Sequence, residues 1–93
     1  MTIKNSETDR LFKAILSLKT EDDCAKFFED ICTIKELQSM AQRLDVARLL
    51  KEKKTFAEIV AKTGASTATI SRVNRCLMYG AGGYSKVLKE MEK

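Results

Sequence analysis

Two short helical patterns meet at Gly64 within the stretch 55–77, TFAEIVAKTGASTATISRVNRCL, and this punctuation limits the fold more tightly than any other feature of the chain. Thr55 followed three residues later by Glu58 has the pattern of a capping box, in which hydroxyl and carboxylate each satisfy an amide left unpaired at a helix start. Phe56, Ile59 and Val60 then recur at helical spacing, and Gly64 can take the left-handed conformation that ends a helix without steric penalty. Ser66 is placed to cap a second helix. In that helix Ile70, Val73 and Leu77 share one face and must turn inward, leaving Thr67, Ala68, Ser71, Arg72 and Arg75 outside or on the flanks. Hydroxyls can bond donors or acceptors on base edges, Ala can meet a thymine methyl, and Arg can reach guanine or phosphate. This is the pattern of a DNA-reading helix-turn-helix, although a plain helical hairpin packed in a bundle has the same spacing.

Little else interrupts the helical pattern. The chain has no proline, and three of its four glycines fall within 80–83, so an all-α fold follows. At 93 residues it makes one domain, small enough that apolar surface buried against a second copy would add much to its stability. No apolar run reaches the roughly 18 residues needed to span a membrane, and the start MTIKNSETDR lacks the apolar core of a signal peptide, which points to the cytoplasm. Without export, Cys24, Cys32 and Cys76 are expected as reduced thiols in or near the core. Histidine is absent and no CxxC pair occurs, so neither a metal site nor a cofactor is expected. The acidic run Glu21, Asp22 and Asp23 suits a helix first turn, where negative charge is favourable, and leaves catalysis without machinery. The chain reads as a non-enzyme.

Charge separates the two halves. Residues 1–36 carry six Lys/Arg against eight Asp/Glu, whereas residues 37–93 carry eleven against five. The basic half is the half with the hairpin, which favours a polyanionic partner over a solvated basic face alone.

In chain order, a first helix is expected over about 7–18, with Asn5 or Ser6 as cap and Leu11, Phe12, Ile15, Leu16 and Leu18 on its apolar face. Thr20 with Asp23 opens a second helix to Ile31, whose buried stripe should be Cys24, Phe27, Phe28 and Ile31. Thr33 with Glu36 caps a third almost at once. That helix, about 34–53, carries apolar residues on more than one stripe and should contact neighbours on two sides. Its Lys51, Lys53 and Lys54 suit the negative end of the helix dipole. Beyond the hairpin, Gly80 to Gly83 break the helix, and a sixth short helix is expected over 84–93 with Tyr84, Val87, Leu88 and Met91 inside. Met40 and Cys76 read as core filler.

The order of these elements and the segment FFEDICTIKELQSMAQRLDVARLLKEKKTFAEIVAKTGASTATISRVNRCL resemble the Trp-repressor superfamily, and more closely its YerC/YecD branch. ATISR after the TGAS turn is similar to the start of that family's recognition helix. The resemblance implies an intertwined all-helical homodimer: one Trp-repressor-like domain over 1–93, with 1–53 as dimerisation scaffold, 55–77 as helix-turn-helix and 84–93 as C-terminal helix. It also implies transcriptional repression. Position by position, it places Thr67, Ala68, Thr69 and Ser71 near bases, Thr67 standing where the family has a larger aliphatic residue. Arg43, Arg72 and Thr33 fall at positions that line the repressor's corepressor site, which implies an amino-acid-like effector. Val73 stands where the repressor has a glycine that leaves room for the indole, which argues against tryptophan. An arginine that contacts DNA from the first hairpin helix is replaced by Ala57. Apart from the resemblance, Arg43 and Arg72 could equally pair with carboxylates such as Asp45 or Glu36 or lie solvated, and Thr33 is already explained as a cap.

Together these readings lead to a homodimeric regulator of double-stranded DNA. Each subunit would set its second hairpin helix in successive major grooves, with Arg75, Lys62, Lys86 and Lys89 neutralising phosphate. The competing reading is a helical module that binds another protein. Salt-dependent DNA affinity separates the two.

Overall fold

The structure, a computed structural model, describes residues 5–92. Six helices follow one another, with no strand among the described residues: α1 (Ser6–Leu16), α2 (Glu21–Ile31), α3 (Ile34–Lys51), α4 (Phe56–Thr63), α5 (Thr67–Tyr79) and α6 (Gly83–Met91). The chain divides into two compact units, Met1–Leu37 and Gln38–Lys93, so that α3 starts in the first and runs on into the second. The expected end of the last helix, Lys93, lies outside the described residues.

Caps set the helix starts where the sequence placed them. The Asn5 side chain accepts from the amide of Thr8 while the Asn5 amide donates to the Thr8 hydroxyl, a reciprocal box that opens α1. Thr20 accepts from Asp23 at α2 (3.0 Å), and Thr33 and Glu36 exchange amide bonds of 3.0 and 2.8 Å at α3. The Thr33 backbone amide first, and its hydroxyl second, hold the Glu36 carboxyl below its ordinary pKa.

Two helix ends differ from expectation. α1 stops at Leu16, not Leu18, where the Ser17 hydroxyl turns back onto the Ala14 carbonyl (2.6 Å). α3 stops at Lys51, not Lys53, because Lys53 adopts φ 66°, with its amide on the Leu50 carbonyl and the Lys54 amide on that of Leu49. That pair of bonds is a Schellman ending, here closed by a lysine in the conformation that glycine usually takes.

The C-terminal unit owns the core. Val46, Ala47 and Leu49 of α3, Ile59 of α4, Ala65 in the turn, Ile70 and Val73 of α5 and Leu88 of α6 are buried, with Leu44, Leu50, Leu77 and Tyr84 packed against them. Each fully buried aliphatic side chain in such a cluster contributes about 1.5–3 kcal/mol.

The N-terminal unit is different: neither α1 nor α2 buries a residue. The stripe expected on α2 is only half covered, Phe27 and Phe28 meeting edge to face with centroids 5.5 Å apart, while Ile31 and Cys24 are exposed. The thiols therefore depart from the core expectation. Cys24 and Cys76 are exposed and Cys32 is half-buried, because helical spacing gives α2 a face but does not close it. Met40, also expected as filler, is half-buried.

Candidate nucleic-acid interface

α4, the turn and α5 form the expected hairpin. Thr55 caps α4 by accepting from the Glu58 amide (3.2 Å), and Gly64 ends it at φ 72° with its amide on the Val60 carbonyl. No atom would obstruct a side chain at Gly64, so its requirement there is conformational alone. Ala65 is buried in the turn, and Ser66 caps α5 by accepting from the Thr69 amide (3.1 Å). Ile59 from α4 meets Ile70 and Val73 from α5 in the core, which fixes the face that α5 turns outward.

That outward face carries the expected base-reading residues with one qualification. Thr67, Ala68 and Ser71 are exposed within about one turn, whereas Thr69 is half-buried and its hydroxyl accepts from Ser66, so it serves the cap first. Arg72 and Arg75 follow on the same helix, both exposed. Lys62 is exposed on the last turn of α4, and Lys86 and Lys89 are exposed on α6.

The electrostatics are one-sided. Between Glu58 and Glu90 the chain has no acidic residue and five basic ones, Lys62, Arg72, Arg75, Lys86 and Lys89. Lys62, Arg72 and Arg75 take part in none of the ion pairs among the described residues. On α3, by contrast, Arg48 is held by Asp45 (2.7 Å) and Glu52 (3.0 Å), and Lys51 lies 3.4 Å from Glu92. Asp45 raises the affinity of Arg48 for its proton, chiefly through that hydrogen bond. Two of the four cations of α3 are thus paired within the chain, whereas Lys62, Arg72 and Arg75 around the hairpin are not.

Two of the three residues matched to the corepressor site share a cleft. Arg43 of α3 and Arg72 of α5 line one cleft of about 300 Å³ with Met40, Val73, Cys76 and Tyr84. Asp45 is bonded by Arg48, and Glu36 by the Thr33 amide. Val73 is itself core, 1% exposed, and its side chain forms part of the cleft wall. Thr33 belongs to the N-terminal unit, where its capping box accounts for it.

Two residues escaped the sequence reading. The Thr63 hydroxyl donates to the Ile59 carbonyl (2.7 Å) and accepts from the Ala65 amide (3.1 Å), bracing the turn from inside. The Gln42 side-chain amide donates to the Thr63 carbonyl across 21 residues (3.1 Å). A threonine before a helix-ending glycine is a local signal that could have been read; the reach from Gln42 leaves none in the sequence.

With this geometry in view, comparison with known proteins adds four findings. A family model described as Trp repressor protein matches residues 6–92. The uncharacterized protein YerC of Bacillus subtilis (strain 168) is 53% identical over 91 residues, spanning 98% of this chain and 88% of that protein. A crystal structure of a TrpR-like protein from Eubacterium eligens superposes with a TM-score of 0.94 at 52% identity, covering 97% of this chain and 93% of the other. A structure from Staphylococcus aureus does so with a TM-score of 0.93 at 46% identity, covering 97% and 90%.

Proposed function

The chain belongs to the Trp repressor family, and from that premise we propose that it is a cytoplasmic, homodimeric, sequence-specific DNA-binding repressor of transcription and not an enzyme. The observation that carries the proposal is the outer face of α5, where exposed Thr67, Ala68 and Ser71 stand beside Arg72 and Arg75 in a stretch free of acidic residues. Short polar and methyl-bearing side chains at the start of a helix can approach base edges, and the unpaired cations around them supply the phosphate attraction that fixes its position. Two such helices, one per subunit, would read half-sites about one helical turn apart. The apolar faces of α1 and α2 that the single chain leaves open support pairing with a second copy.

Regulation by a small molecule is part of the proposal. Two guanidinium groups at one cleft suit a carboxylate-bearing ligand, and the buried Val73 in its wall opposes a ligand as bulky as tryptophan.

The test is selection of bound sequences from a random double-stranded DNA pool at physiological salt, with and without a mixture of amino acids. A two-fold symmetric motif supports the dimeric reader, and enrichment only with amino acids supports the effector. Ser71→Ala or Ala68→Glu should then change which sequence is preferred, whereas Arg75→Ala should weaken all sequences and reduce the salt slope by about one unit. No enrichment from a folded dimer would sink the proposal and favour a protein-binding module.

A further inference from the structure

The bond from Gln42 to the Thr63 carbonyl joins the middle of α3 to the end of α4, one residue before the left-handed Gly64 from which α5 departs. Carbonyls in the last turn of a helix have no partner within it, and Gln42 supplies one for Thr63 from another element. Thr63 in turn grips both sides of the turn, its hydroxyl bonded to Ile59 behind and Ala65 ahead. Gln42 and Thr63 are half-buried, so these groups are partly shielded from water. Apolar packing of Ile59, Ile70 and Val73 holds the hairpin against α3 but is non-directional; the Gln42 bond is directional and sits at the pivot.

We infer that Gln42 is a positioning residue for DNA reading: through the Thr63 carbonyl it fixes the angle at which α5 leaves α3, and hence the half-site spacing that a dimer accepts. The inference rests on the proposed DNA-reading function. Gln42 touches neither base nor phosphate in this role. It acts by narrowing the range of poses open to the hairpin, so its effect falls on discrimination between spacings more than on attraction to DNA.

The experiment uses the full chain and the DNA selected by the wild type, with one base pair added to or removed from the segment between half-sites. Gln42→Met removes the donor at nearly constant volume, and Gln42→Glu keeps the shape but offers the carbonyl an acceptor; either serves if the other fails to fold. Thermal unfolding and circular dichroism check the fold, and the salt dependence of binding counts phosphate contacts. Discrimination between native and shifted spacing should fall by about threefold to tenfold, the span of one lost hydrogen bond, with an unchanged salt slope. Wild-type discrimination in a folded variant, or equal weakening on every spacing, would overturn the inference by showing Gln42 to be a stabilising contact alone. Failure of the wild type to select any DNA would instead remove the function on which it rests.

Discussion

The N-terminal and C-terminal units carry the same kind of sequence signal and use it differently. Both place apolar residues at helical spacing, yet Gln38–Lys93 converts them into a closed core of eight residues, while Met1–Leu37 leaves Leu16 at 82% and Ile31 at 52% exposure. An amphipathic face is a demand for cover, and it says nothing about which segment provides it. In the C-terminal unit α3, α4, α5 and α6 answer one another, although Val87 and Met91 of α6, expected inside, stay exposed. In the N-terminal unit the helices are set by caps and bury no residue fully, and under the proposed function a second copy covers what stays exposed.

The largest expected effect tests the self-sufficient half. Ile70→Ala should destabilise the protein by about 2–5 kcal/mol, because its side chain is fully buried at the join of α4 and α5. Urea unfolding measures this; a loss below 1 kcal/mol would mean that the core does not depend on that join.

The dependent half should respond through association. Leu16→Asp should raise the dimer dissociation constant by at least about tenfold, the equivalent of losing one buried apolar side chain, and sedimentation equilibrium would show it. An unaltered dimer would place the interface elsewhere and break the contrast between the units.

Backbone strain sharpens the picture within the C-terminal unit, where two left-handed residues end two helices. Gly64→Ala should destabilise by about 1–2 kcal/mol, since space is open and only conformation opposes it. Lys53→Gly should stabilise by about 1 kcal/mol or less, relief of strain exceeding the added chain entropy. Equal signs for the two in thermal unfolding would contradict the conformational argument.

The smallest effect belongs to the N-terminal unit. Glu36 has its carboxyl pKa depressed in the folded state, so its contribution is fully present above its ordinary pKa and fades as pH falls through the lower folded value. Carbon-13 titration of this exposed carboxyl should give a midpoint below that of an unstructured glutamate, and Thr33→Ala should bring it back. A midpoint unchanged by Thr33→Ala would show that the capping box does not govern it.

Much of this was legible beforehand for one reason: capping, glycine termination and helical periodicity are local. Thr20, Thr33, Thr55 and Ser66 each announce a helix within four residues, and the outward set on α5 follows from the inward set of Ile70, Val73 and Leu77. The end of α3 was misplaced because a lysine took the conformation that the sequence reserves for glycine. The expected burial of Cys24 and Ile31 failed because periodicity gives a face and not its cover.

By itself, then, the sequence determined an all-helical chain, its helix starts and the polar, basic face of the second hairpin helix, since each depends on residues within a turn or two of one another. The tertiary structure alone decided which apolar faces close, that Arg43 and Arg72 share a cleft walled by Val73, and that Gln42 clasps the turn through Thr63. Those outcomes depend on which distant segments arrive side by side, and no local spacing encodes an arrival.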